Sequence, residues 1–65
     1  MRVLKNKQYT INNSSIIVEI LSIVYECSEY QKVKTIIYHK STGHILEGPR
    51  YYKLDFEKTK YWKLA

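Results

Sequence analysis

The chain is sparing in the residues that staple, break or punctuate a fold. It has one cysteine, one proline and two glycines in 65 residues. A single thiol, Cys27, excludes an intramolecular disulfide and a thiolate zinc site. The proline and both glycines fall between positions 43 and 49, and no stretch reads as a linker or repeat. One small domain over residues 1–65 is therefore expected. The apolar run from Ile16 to Tyr25 is too short to span a bilayer, and Glu19 interrupts it. With a lone cysteine and no leader-like segment, a soluble protein of the reducing cytoplasm, away from membranes, is expected.

Arginine is also scarce. Eleven cations face six carboxylates, for a net charge of +5, yet only two of the eleven are Arg. The positive balance favours acidic partners, either nucleic acid or an acidic host protein. The shortage of arginine removes most of the bidentate forks that read bases or clamp phosphates. Richness in Lys, Ile, Asn and Tyr is equally what an AT-rich genome yields without selection for binding.

Tyrosine, by contrast, is abundant: seven residues, joined by Phe56 and Trp62. Tyr fits a pleated, half-buried surface and combines an apolar body with a polar tip. A chain this short buries only ~60% of its unfolded surface, so some of these rings must stay in contact with water. With so thin a margin, a tightly packed barrel or a homodimer is expected.

The segment Ile16–Cys27 supports two readings. As a helix, Ser15, Glu19, Ser22, Glu26 and Glu29 form a polar stripe at alternating spacings of four and three, capped by Ser14 or Ser15. This gives the α+β alternative, with a helix at about 14–29. As a strand, Ile16, Val18 and Ile20 share a face. A one-residue bulge then keeps Leu21, Ile23, Tyr25 and Cys27 on it, with Glu19, Ser22, Glu26 and Ser28 outward. Six of the twelve residues are Ile or Val, which favours a long bent strand.

The other segments are shorter. Gln8–Ile11 reads as a strand. Lys32–Lys40 alternates, with Val33, Thr35, Ile37 and His39 opposite Lys32, Lys34, Ile36, Tyr38 and Lys40. Ser28–Gln31 reads as the preceding hairpin loop, and Ser41–His44 as a turn built on Gly43. Ile45–Glu47 and Tyr51–Leu54 read as strands separated by Gly48-Pro49. Asp55–Lys60 reads as one helical or 3₁₀ turn with a possible Asp cap, and Tyr61–Leu64 as the last strand.

The fold class is thus all-β: a small barrel of about five strands with one short helical or 3₁₀ turn near the C-terminus. Over residues 8–64 this layout resembles the SH3-like small barrels. Tyr9 in the first strand, the apolar run Ile16–Val24, Val33–Tyr38 and Phe56 before a short turn resemble short SH3-like proteins encoded by bacteriophages. That resemblance implies a phage or mobile-element binding module.

No constellation suggests catalysis, a metal or a cofactor. Cys27, His39 and His44 match no zinc spacing, and the six carboxylates have neither a histidine partner at a diagnostic spacing nor a Gly-rich phosphate loop. A non-enzymatic binding protein is expected. Cations and aromatics interleave best in the C-terminal third. Strand alternation there places Tyr52, Leu54, Trp62 and Leu64 inward, and Tyr51, Lys53, Tyr61 and Lys63 outward. Arg50, Tyr51, Lys53, Lys60, Tyr61 and Lys63 are the candidate binding residues, with rings stacking on bases and lysines neutralising phosphates. The alternative function is inhibition of a host defence or transcription protein through a Tyr-rich interface.

Overall fold

The computed structural model describes residues 1–12 and 14–65. Asn13, part of the anticipated break at 12–15, lies outside them. Five strands, β1 (Gln8–Thr10), β2 (Ile16–Glu26), β3 (Tyr30–His39), β4 (Ile45–Asp55) and β5 (Lys63–Leu64), form one sheet. Its order is β4-β3-β2-β1-β5, and every pairing is antiparallel. One helical turn, α1 (Phe56–Thr59), precedes β5. This is the all-β layout the sequence predicts; the structure adds the pairing of β1 with β5.

The helix over 14–29 does not form: residues 16–26 are strand β2 throughout. The 3.6-residue polar stripe is outweighed by six β-branched side chains that pack on both faces of a sheet. Two register shifts bend β2, one between Ile20 and Ser22 and one between Ile23 and Tyr25. The first is the expected bulge and returns Ile23 to the core face, opposite Val33. The second is additional. It pairs Tyr25 with Lys32 on the outer face and Glu26 with Gln31 on the inner one, reversing the orientations expected for Tyr25 and Glu26.

Further along, the two short strands expected on either side of Gly48-Pro49 are one strand, β4, with one register shift across that dipeptide and another between Ile45 and Glu47. A proline is tolerated because β4 is an edge. The last strand is shorter than expected: Tyr61 lies in a turn, and only Lys63 and Leu64 pair with β1. Leu64, expected inside, is 62% exposed. Asp55 occupies the helix N-cap position without a side-chain capping bond among the described residues. Gly43 takes the left-handed φ of 72° that the β3–β4 turn requires.

Val3, Tyr9, Val18, Ile20 and Val33 form the buried core, with Ile11, Ile23, Ile37, Tyr52, Leu54 and Trp62 packed on it. Trp62 anchors the C-terminal end against Tyr9, ring centroids 6.5 Å apart. The N-terminal segment is held by polar groups. The fully buried Gln31 amide accepts from Val3 N–H (2.7 Å) and donates to Val3 C=O (2.9 Å). Gln31 therefore acts as a side-chain extension of the sheet, satisfying two backbone groups that have left the ladder. The Thr59 hydroxyl donates to Met1 C=O (3.0 Å), and Leu4 N–H donates to Tyr9 Oη (2.8 Å). Tyr9→Phe, which keeps the ring and strands the Leu4 amide, is expected to lower stability by about 1–2 kcal/mol in urea denaturation.

Candidate functional site

The pairing registers divide the sheet into two faces. On the inner face, Val33, Thr35 and Ile37 of β3 lie opposite Ile23, Ile20 and Val18 of β2. The outer face carries Lys32, Lys34, Ile36 and Tyr38 of β3, the alternation read from the sequence. Its partners change character along the strand. Near His39 it is apolar around Tyr38, which pairs with Ile17 and Ile45, and it carries a carboxylate, Glu19, opposite Ile36. Near Tyr30 it is cationic and aromatic.

At that second end, three strands contribute. Lys32 lies between Tyr25 of β2 and Lys53 of β4, and Lys34 between Ser22 and Tyr51. The Lys53 ammonium stands 4.4 Å from the Tyr30 ring centroid, and the Lys34 ammonium 5.9 Å from that of Tyr51. Tyr25 and Tyr30 are in tilted contact at 5.9 Å. Tyr25 and Tyr51 are 53% and 61% exposed. Each cation–π contact at such exposed sites contributes roughly 0.5–1 kcal/mol.

The six residues singled out in the sequence are not gathered into one patch. Tyr51 and Lys53 belong to this cationic surface. Arg50 pairs with Thr35 on the inner face, at the rim, where it lies 3.8 Å from Glu47. Lys60 and Tyr61 follow α1 as a contact pair (5.3 Å), with Lys60 also bridged to Glu57 at 3.2 Å. Lys63 is on the outer face but on β5, at the opposite end of the strand order from β4. Four strand spacings, ~19 Å along the sheet, separate Lys63 from Lys53. Tyr25, Tyr30, Lys32 and Lys34 complete the cluster and were not singled out. Their membership depends on a register between distant strands and on the second β2 bulge.

The carboxylates are occupied elsewhere. Glu19 accepts from the Gln8 amide (3.1 Å), and Glu26 accepts from Gln31 (2.7 Å) and pairs with Arg2 (3.4 Å). Glu19 lies opposite Ile36 and Glu26 opposite Gln31, so neither is the direct cross-strand partner of a β3 lysine. An open depression of about 490 Å³ beside α1 is lined by Glu29, Asp55 and Glu57 among others, a setting that repels anions. Among the described residues, no three His, Cys, Asp or Glu cluster as metal ligands. No helix among them is long and apolar enough to cross a membrane.

Two tyrosines hold their protons more tightly than the ordinary value of 10.0. Burial raises Tyr38, helped by the negative charge of Glu19. Tyr52 is raised chiefly by donating its hydroxyl to the Glu47 carboxylate. A folded-state pKa above the unfolded one favours the fold fully below about pH 10, and that stability is lost as pH climbs through the raised values. Urea midpoints are therefore expected to hold from about pH 8 to about pH 10 and to drop above it, with a shallower drop in Tyr52→Phe.

Comparison with protein-family models, curated proteins and solved structures finds no match to this chain.

Proposed function

We propose that the chain is a non-enzymatic module that binds single-stranded nucleic acid on the outer face of β2, β3 and β4. One observation carries this reading: Lys32 and Lys53 are direct cross-strand partners, both exposed. Like charges placed opposite one another on a sheet are destabilising. An anion seated between them turns that repulsion into attraction. Phosphate is the anion the surroundings favour, because Tyr25, Tyr30 and Tyr51 offer rings at the same surface. Aromatic stacking with lysine neutralisation binds single strands with little sequence preference. The low arginine content agrees with backbone contact and with the absence of base readout. The resemblance to phage-encoded SH3-like proteins supports a phage or mobile-element setting, and the lone cysteine supports a cytoplasmic one.

A second reading has its own support. Ile45 and Leu46, 59% and 53% exposed, begin the edge strand β4, and a partner protein could pair there. That would suit an inhibitor of a host protein. A pulldown from bacterial lysate, with and without nuclease, separates the two. Recovery of nucleic acid that is lost at higher salt is the expected result. Recovery of one stoichiometric protein, indifferent to nuclease, would reject nucleic-acid binding.

A further inference from the structure

The inner face holds a cavity of about 200 Å³ lined by Ile11, Val18, Thr35, Ile37, Tyr52, Leu54 and Trp62. Tyr52 and Leu54 of β4 and Trp62, the residue leading into β5, all reach it, on the opposite side of β3 from Lys32 and Lys34. We propose that this cavity binds a small neutral aromatic molecule, one ring in size and carrying one hydrogen-bonding group, with its ring against Trp62, Tyr52 and Leu54 and its polar atom on Thr35 Oγ1.

Three features support this. Size comes first: an apolar cavity of about 150 Å³ is enough to hold benzene, so this one accommodates a ring with a substituent. The second is an unanswered polar group. Thr35 is 1% exposed, and among the described residues its hydroxyl has no hydrogen-bond partner. Valine has the same shape and would avoid that penalty, so the hydroxyl is explained by a group that arrives from outside. Water entering from the open side of the pocket answers it poorly, because an ordered water needs two to four polar partners and the lining offers few. The other lining side chains offer little: the Tyr52 hydroxyl already donates to Glu47, and the rest are apolar apart from Trp62. The third feature is charge. Among the described residues no ionised side chain lines the cavity, and Glu47, which accepts from the Tyr52 hydroxyl, is also engaged with Arg50. A charged ligand would lose its hydration without compensation.

The test uses p-cresol and toluene, which share the ring and differ in the hydroxyl. Trp62 is the only tryptophan and lines the cavity, so its fluorescence reports occupancy directly. Saturable binding is expected, about five- to tenfold tighter for p-cresol than for toluene, with a matching rise in melting temperature. Thr35→Val is expected to bring p-cresol down to the toluene level while leaving toluene binding unchanged. It should also raise the melting temperature of the unliganded protein, because it removes an unpaired hydroxyl. Ile37→Phe, which fills the cavity, is expected to abolish binding of both. No saturable response, equal affinity for the two probes, or undiminished p-cresol binding in Thr35→Val would overturn the assignment. Because the cavity and the lysine face lie on opposite sides of the sheet, failure here leaves the nucleic-acid reading standing, and the reverse holds too.

Discussion

Replacing Gln31 with leucine is expected to lower stability by about 3 kcal/mol, because it leaves Val3 N–H and C=O buried and unpaired. Leucine is close to glutamine in volume, so the loss is one of hydrogen bonds and only slightly of packing. A domain of this size has roughly 3–10 kcal/mol in total, so the loss removes between about a third and all of its stability. The effect extends to the whole fold because Val3 belongs to the core cluster with Tyr9, Val18, Ile20 and Val33. Urea denaturation measures it, and hydrogen exchange at Val3 locates it. Gln31→Glu should be nearly as damaging, since a carboxylate cannot donate to Val3 C=O and would face Glu26. A Gln31→Leu protein within about 0.5 kcal/mol of wild type would mean that the N-terminal segment adds little to the fold.

The second large effect concerns binding. Lys34→Glu combined with Lys53→Glu is expected to weaken single-stranded DNA binding roughly a hundredfold at moderate salt. The slope of log affinity against log salt should shrink from about −2, for three lysines on phosphates, to about −0.7 for the one that remains. Stability should change little. The variant loses two exposed cation–π contacts, but Lys32 gains an opposite charge across from it in place of Lys53. Fluorescence anisotropy with a labelled oligothymidylate gives affinity and slope, and a melting curve gives the control. Undiminished binding by a folded double variant would place the contact surface elsewhere. The corresponding change at Lys63, on the far edge strand, should have a much smaller effect.

How far the sequence discloses this arrangement depends on how local each determinant is. β3 is legible because its residues alternate strictly, and period two alone assigns Lys32, Lys34 and Tyr38 to one face and Val33, Thr35 and Ile37 to the other. β2 is legible as a strand from its β-branched content. Its second bulge is not, since apolar residues fill both faces and no pattern marks where Tyr25 changes sides. Gln31 sits in a polar stretch that reads as a loop; its partner, Val3, is 28 positions away, and nothing near either residue announces the contact. The facing of Lys32 and Lys53 likewise needs the β3–β4 register, which the shifts around Gly48-Pro49 leave unreadable from residue order. The C-terminal surface was divided for a related reason. Tyr61 and Lys63 alternate with Trp62 as a strand would, but the chain pairs only from Lys63 onward, on the edge farthest from β4.

The central claim is that the outer face of β2, β3 and β4 holds a single strand. Titrating isotope-labelled protein with an oligothymidylate, and following amide and lysine side-chain shifts at low and high salt, tests it most directly. The account predicts that the largest changes fall on Tyr25, Tyr30, Lys32, Lys34, Tyr51 and Lys53, and that they fade as salt rises. Changes centred on Lys60 to Leu64 or on Ile45 and Leu46, or none at all, would contradict it.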